Sequence, residues 1–321
     1  MYHIKNFADR LLDAVDQKSS SVVVGLDPDV RKLPEFLIER SQARHGHGLK
    51  SLAAAVLDFN TQIMEAIHDI VIAVKPQIAF YEALGIPGLR TLQKTIRVAK
   101  SHGLLVIQDA KRGDIGSTAE AYATAHIGFI NQGKKRSIFG ADAMTVNPLL
   151  GTDSIEPFLK RTETQGKGIF VLVKTSNPSS SEIQNLEVIT DSERHYLYEV
   201  IARLVCRWGK NSIGKRGYSS VGAVVGATFP QEARLIRDLM PQTIFLVPGY
   251  GAQGATAQDI VHCFNSDGKG AIVNSSRDII YAFQKDERMA NQSNPDFALA
   301  ARDSALKMRS EINNALRKAV S

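Results

Sequence analysis

Three charged side chains lie close together after the apolar run that begins at residue 104. Asp109 and Lys111 come at the end of this run, and Asp114 lies in the glycine-containing turn that follows. A spacing of two residues places Asp109 and Lys111 on the same face of a strand. Carboxylates beside an ammonium group keep it protonated and oriented. The pattern predicts a site where negative charge develops and is quenched by a proton; a solvated salt-bridge cluster is the alternative.

Two more charged residues interrupt or end apolar runs. Lys75 lies inside the run from 72 to 78, and a buried lysine needs an anionic partner. Asp109, on the next run, is the expected partner; the alternative is a lysine that reaches solvent at the strand end. Asp27 ends the earliest run and precedes Pro28. It is either an acceptor for a ribose hydroxyl or the start of an Asp-Pro turn.

The last two apolar runs end in a phosphate-binding pattern. Gly251 lies in the segment Pro248-Gly249-Tyr250-Gly251-Ala252-Gln253-Gly254, and Arg277 follows the final run. Glycines let backbone N–H groups approach phosphate oxygens, while Gln253 and Arg277 donate from their side chains. A purely structural glycine turn is the alternative interpretation.

Two weaker candidates lie between these segments. Asn147 ends the fourth run and either faces the site or opens a turn. Ser176 follows the fifth run, where its hydroxyl is placed to hydrogen-bond a pyrimidine edge, or it caps an Asn-Pro turn.

Eight apolar runs alternate with helical patterns, which predicts a (β/α)₈ TIM barrel of the α/β class. Continuous hydrophobicity is typical of parallel strands covered on both sides, and eight units close a barrel. We expect one domain over 1–321, with an N-terminal helix in 1–20, the barrel in 21–284 and a C-terminal helix in 285–321. Helices are expected over 119–130 and 195–208 among others. The runs are 21–26, 72–78, 104–109, 143–146, 168–173, 221–227, 244–247 and 270–273.

Two segments are longer than a strand-helix unit requires, 29–50 after the first strand and 176–219 after the fifth. Both lie at the C-terminal face of the predicted barrel, where lids and active-site loops occur. The second is a lid candidate, as is the loop after the seventh strand; surface insertions are the alternative. His45 and His47 lie in the first segment. We interpret them as surface residues rather than metal ligands, because no third ligand is suggested nearby.

Composition excludes several other classes. The 321 residues carry a net charge of +6, but the one dense basic cluster, Lys134-Lys135-Arg136, is expected to be a solvated loop, so nucleic-acid binding is not predicted. Cys206 and Cys263 lack CxxC spacing, which fits a reducing cytoplasm and no zinc site. Neither a secretory signal nor an apolar run of about 18 residues is present. We expect a soluble cytoplasmic protein.

Together the segments resemble the orotidine 5′-phosphate decarboxylase family, in particular its longer bacterial subgroup. They occur in the family's order and extend over the whole predicted barrel. DxKxxD alone is shared with other phosphosugar barrels, whereas the full set is much more specific. The matching stretches are GLDPD at 25–29, VKPQIAFYEALG at 74–85, DAKRGDIGSTAEAYA at 109–123, VKTSNPSS at 173–180, PGYGAQG at 248–254 and the segment around Arg277.

The resemblance implies decarboxylation of orotidine 5′-monophosphate to uridine 5′-monophosphate without metal or organic cofactor. Lys75, Asp109, Lys111 and Asp114 match the family's lysine–aspartate tetrad, in which Lys111 would protonate C6 and Asp109 would lie beside the departing carboxylate. Asp114 and Thr118 would reach into a neighbouring subunit's site, which implies a homodimer.

By the same resemblance Asp27 would bind ribose, Ser176 the base, and Gln253 with Arg277 the phosphate. The chain departs from the family at Ser276 and Asp278, where many members have glycine and a small residue. An acid beside a phosphate site is electrostatically unfavourable.

Two alternatives from other functional classes stay open at this point. One is a metal-dependent phosphosugar decarboxylase or epimerase of the same barrel superfamily, which shares DxKxxD but lacks a lysine on the second strand. The other is a barrel that binds a phosphorylated ligand without catalysis. Lys75 argues against the first, and the intact tetrad argues against the second.

Overall fold

The described part of the chain forms a closed barrel of eight parallel strands. The computed structural model describes residues 5–190, 192–251, 254–286 and 296–320. Each barrel strand pairs with its neighbours in sequence, and the eighth closes against the first. The predicted barrel and its eight strands are confirmed. The strands are β1 (Val22–Leu26), β2 (Ala73–Pro76), β3 (Leu105–Arg112), β4 (Ala143–Val146), β5 (Gly168–Lys174), β6 (Ser219–Val225), β7 (Thr243–Val247) and β8 (Ala271–Ser275).

Helices surround the barrel and bury its outer face. The α-helices are α1 (Phe7–Lys18), α2 (Glu35–His45), α3 (Leu49–Ile67), α4 (Ile78–Glu82), α5 (Gly85–Ser101), α6 (Gly116–His126), α7 (Thr152–Gln165), α8 (Ser181–Gln184), α9 (Leu197–Gly209), α10 (Pro230–Leu239), α11 (Ala257–Ile260), α12 (Arg277–Ile280) and α13 (Phe297–Val320). Short 3₁₀ turns cover Val30–Lys32, Pro178–Ser180, Lys210–Ser212, Val261–Cys263 and Ala282–Gln284. No helix within the described residues is long and apolar enough to cross a bilayer.

The first and last helices pack against the barrel. The Phe7 ring of α1 meets the Phe170 ring edge-on, with centroids 6.1 Å apart, and Arg10 donates to Asp142 at the start of β4 over 2.9 Å. Helix α1 therefore covers the N-terminal ends of the strands. Phe297 of α13 stacks on Phe59 of α3 at 5.2 Å. These contacts agree with a single domain over 1–321, which stays a prediction.

Two helix predictions were wrong at their ends. The helix expected over 119–130 ends at His126, and residues 130–136 form an exposed antiparallel hairpin. Lys134-Lys135-Arg136 is therefore a solvent-exposed strand and not a loop, and the turn falls at Gly133, which adopts a φ of 72°. The helix expected from His195 begins at Leu197 because Glu193–Tyr196 pairs with Glu187–Thr190 in a second hairpin.

The segment after β1 contains a helix that its polar composition did not reveal. Helix α2 has few apolar positions, but Leu37 on its inner face is completely buried. His45 ends this helix and His47 lies in the turn beyond it, and both side chains are exposed.

Candidate active site

A cavity of about 430 Å³ opens at the C-terminal ends of the strands. All eight strands, or the turns directly after them, contribute to its wall. Six residues singled out from the sequence line it: Asp27, Lys75, Asp109, Lys111, Ser176 and Arg277. The cavity lies where barrel enzymes hold their reacting groups, because the ends of the parallel strands converge there.

Asp109 lies between two lysines. Lys75 Nζ donates to Asp109 Oδ2 over 2.6 Å, and Lys111 Nζ donates to Asp109 Oδ1 over 2.6 Å. Lys75 and Asp109 are buried, whereas the Lys111 side chain is 46% exposed. The predicted ion pair between neighbouring strands is therefore present. Lys111 is the member of the group that faces the open cavity.

Both buried members of this group are held in their charged forms. Burial by itself lowers the pKa of the Lys75 ammonium group, but the charges of Asp109 and Asp27 outweigh burial and raise that pKa above its ordinary value. Burial raises the pKa of the Asp109 carboxyl, yet Lys75 and Lys111 outweigh it and hold the pKa well below its usual range. The site therefore keeps a fixed negative charge beside two fixed positive charges.

Thr145 of β4 was not singled out from the sequence, yet it organises the centre. Its Oγ1 donates to Asp109 Oδ1 over 2.9 Å and accepts the backbone N–H groups of Ala110 at 3.0 Å and Lys111 at 2.9 Å. The pairing of β3 with β4 is irregular between Gln108 and Arg112, so this hydroxyl replaces a strand carbonyl. It also secures Lys111 at a φ of 46°, in the left-handed region.

Two carbonyl or carboxyl oxygens in the cavity wall have no hydrogen-bond partner among the described residues. They are Asp27 Oδ1, after β1, and Asn274 Oδ1, on β8, and both are buried. A buried acceptor without a donor is costly, so these atoms are suited to receive hydroxyl or N–H groups of a ligand. Asn274 was missed because it reads as part of an apolar strand.

The phosphate pattern is only partly placed at the cavity. Arg277 lines the wall at the start of α12, together with Gly249 and Tyr250. Gly251 is exposed with a φ of 73°, and its N–H donates to Ala255 O over 2.9 Å within the turn. Gln253 lies outside the described residues.

Two contacts around this turn bear on its charge and anchoring. Asp278, beside Arg277, forms an ion pair with Lys285 at 2.9 Å and lines a different cavity on the far side of the turn. Its charge is therefore partly neutralised away from the arginine. Tyr250 donates to Glu311 Oε2 of α13 over 2.5 Å, which anchors the turn to the last helix.

Asp114 and Thr118 lie away from the cavity of their own chain. Asp114 Oδ1 accepts the N–H of Ile115 over 2.8 Å, and Thr118 is exposed on the first turn of α6. Neither lines the cavity formed by the described residues of a single chain.

Asn147 Oδ1 accepts the N–H of Leu149 over 3.0 Å, so this side chain opens a turn.

We predict that Thr145→Val lowers the free energy of unfolding by about 1–3 kcal/mol, because two N–H groups and one carboxylate oxygen lose their partner. Thr145→Ser is the matched control: it keeps the hydroxyl and loses one methyl, at about 0.8 kcal/mol. Urea unfolding of both variants measures the difference. Equal stability of the two variants would contradict the role of the hydroxyl.

Comparison with known proteins places the chain in a family. The profile of the orotidine 5′-phosphate decarboxylase / HUMPS family matches residues 20–291. Orotidine 5′-phosphate decarboxylases of Caldicellulosiruptor bescii and Rhodopirellula baltica are each 41% identical, over 97% and 95% of this chain and 99% and 98% of theirs.

Solved structures agree with the sequence comparison. The Leishmania donovani OMP decarboxylase is 30% identical, with a TM-score of 0.72 over 97% of this chain and 99% of that one. The Leishmania donovani UMP synthase is 31% identical, with a TM-score of 0.75 over 97% of this chain and 57% of that one. With its barrel, its strand-end lysines and aspartates and a profile match over most of its length, the chain belongs to the orotidine 5′-phosphate decarboxylase / HUMPS family.

Proposed function

We propose that this chain is a carboxy-lyase that converts orotidine 5′-monophosphate to uridine 5′-monophosphate and carbon dioxide, the last step of de novo pyrimidine nucleotide synthesis. The observation that carries the proposal is the Lys75–Asp109–Lys111 group at the floor of a cavity, in a chain of this family. Curated relatives named orotidine 5′-phosphate decarboxylase match this chain over nearly their whole length.

The chemistry requires a fixed cation at one carbon atom. When the bond from C6 to the carboxylate breaks, the electron pair stays on C6, with no adjacent carbonyl to accept it. Lys111 Nζ stabilises this charge and then transfers a proton to C6, and carbon dioxide leaves. Asp109 keeps Lys111 in place at 2.6 Å, and Lys75 neutralises the other side of Asp109. A preorganised charge of this kind needs little reorganisation during the reaction.

The remaining wall residues are assigned to the ends of the nucleotide. Asp27, with its unpartnered Oδ1, accepts ribose hydroxyl groups, and Ser176 meets the base. Arg277 binds the phosphate, and Gln253 and Gly251 are assigned there by the family pattern. Phosphate contacts lie far from C6, yet their binding energy can hold loops closed and offset strain at the base.

We propose a homodimer in which Asp114 and Thr118 complete the neighbouring site. Lys111 is paired on one side by Asp109, whereas its own chain supplies no carboxylate from the 114 position. Apolar side chains are exposed near Asp114: its neighbour Ile115 is 54% exposed, and Leu149, which closely follows the Asn147 that packs against Gly113, is 78% exposed. An exposed apolar patch beside an incomplete site favours association with a second copy.

The metal-dependent relatives are the second candidate, and Lys75 argues against them. This ammonium group is buried and occupies the Asp109 carboxylate, so that carboxylate is not free to ligate a cation.

We propose a cytoplasmic location as well. Cys206 and Cys263 are free thiols, and a cytoplasmic site of pyrimidine synthesis suits them.

Turnover of the purified protein tests the function. We expect the absorbance of orotidine 5′-monophosphate to decline in the presence of excess chelator, because the proposed proton donor is a side chain. Absence of any absorbance change would refute the assignment. Activity that disappears with chelator would favour the metal-dependent alternative.

Lys111→Ala should bind uridine 5′-monophosphate but lose turnover by about 10³-fold or more, because proton transfer and charge stabilisation are both removed. Calorimetric binding and single-turnover kinetics measure the two effects separately. Turnover close to wild type in this variant would exclude Lys111 as the proton donor.

Mixing two inactive variants tests the shared site. Lys111→Ala and Asp114→Ala should each be inactive, while their mixed dimer has one intact site of two. Random exchange makes half of the dimers mixed, so we expect about a quarter of wild-type turnover per chain. A mixture no more active than its components would contradict a site shared between subunits.

A further inference from the structure

The segment from 178 to 196, the β5 insertion, follows the turn that carries Ser176. Its described residues, which exclude 191, form the 3₁₀ turn, helix α8 and the two strands of a largely exposed hairpin that precede α9. The proposed function uses only Ser176 from this region. The contacts at the root of the insertion give it a further role.

Gln184, the last residue of α8, forms two hydrogen bonds with Thr175, the residue before Ser176, through the oxygen and the nitrogen of its side-chain amide. Thr175 N donates to Gln184 Oε1 over 2.9 Å, and Gln184 Nε2 donates to Thr175 Oγ1 over 2.8 Å. The same threonine hydroxyl donates to Asn177 Oδ1 over 2.6 Å. Since Thr175, Ser176 and Asn177 all line the cavity, Gln184 fixes a piece of the cavity wall without reaching the cavity itself.

Lys174 anchors the next residue of the insertion. Its side chain is 1% exposed, and its Nζ donates to Asn185 Oδ1 and lies 3.1 Å from Glu232 Oε2 on α10. Asn185 Nδ2 also donates to Glu232 Oε1 over 3.1 Å. A buried ammonium group is stable only with such partners, so Asn185 is fixed beside Gln184.

The neighbouring strand closes the other side of the turn. Gly226 follows β6, and a Cβ at this position would lie 2.9 Å from Ser176 Cα. Thr228 Oγ1 donates to Ser176 O over 3.4 Å. The Thr175–Asn177 turn is therefore confined between α8 and the end of β6.

We propose that Gln184, supported by Asn185 and Lys174, is a positioning residue that sets affinity for the pyrimidine base by fixing the Thr175–Asn177 turn. The proposal rests on the proposed function, in which Ser176 meets the base. Arg277, assigned to the phosphate, follows β8. In the barrel, β6 and β7 lie between β5 and β8 on this side, so Arg277 is well separated from the turn after β5. Loss of the Gln184 contacts therefore acts on the base and leaves the phosphate end unchanged.

Binding of two ligands to Gln184→Ala tests this. The probes are uridine 5′-monophosphate, which contains the base, and ribose 5-phosphate, which lacks it. We expect about tenfold weaker binding of the nucleotide, the effect of losing one hydrogen bond between the Thr175–Asn177 turn and the base. Binding of ribose 5-phosphate should be unchanged. Glu182→Ala is the matched control, since Glu182 lies on the same short helix with its side chain exposed.

Gln184→Glu is a second variant, which keeps an acceptor for Thr175 N but loses the N–H donor. It should weaken nucleotide binding by a smaller factor. If the alanine variant does not fold, the same comparison between nucleotide and ribose 5-phosphate binding is made with this variant. Equal weakening of both ligands, or unchanged nucleotide binding, overturns the proposal while wild-type decarboxylation still supports the proposed function. A wild-type protein without decarboxylase activity overturns both.

Discussion

One buried carboxylate, Asp109, constrains the whole C-terminal face of the barrel. In the closed barrel an unpaired carboxylate would cost several kcal/mol, so it requires the ammonium groups of Lys75 and Lys111 and the hydroxyl of Thr145. These partners come from three adjacent strands. The register of β2, β3 and β4 is therefore linked to the charge of one side chain.

The same constraint separates the site into regions with different tasks. Charged side chains at the ends of β1, β2 and β3 line the part of the cavity where we propose that the bond breaks, while Arg277 after β8 and the turn after β7 line the part that we assign to the phosphate. The turn after β5 lies between them and contains no charged residue. Gln184 is hydrogen-bonded to this turn, and the adjacent Lys174 is buried and paired, so a polar network outside the cavity supports this part of its wall.

The strands and the central charges were predictable because they combine two strong signals. Continuous apolar runs mark buried parallel strands, and a lysine inside such a run needs a partner, which Asp109 provides. Helix α2 and the two hairpins were missed because they are short and largely exposed, so neither helical nor alternating periodicity identifies them.

The supporting residues were harder to predict for a different reason. Thr145 and Asn274 look like ordinary strand residues, and Gln184 looks like a polar loop residue. Their roles depend on which atoms lie opposite them in three dimensions. Asp114 is a further case: its sequence position suggests the site, but a single chain places it outside the cavity.

The backbone of Lys111 has a consequence for how this position tolerates change. A φ of 46° costs a residue with a Cβ about 1–2 kcal/mol, whereas glycine adopts it freely and asparagine at little cost. The backbone cost of lysine at this position is opposed by its ion pair with Asp109, which glycine or asparagine would lose. The left-handed backbone thus persists because this contact offsets its cost, and a protein that lacked the Asp109 carboxylate would favour glycine or asparagine at position 111.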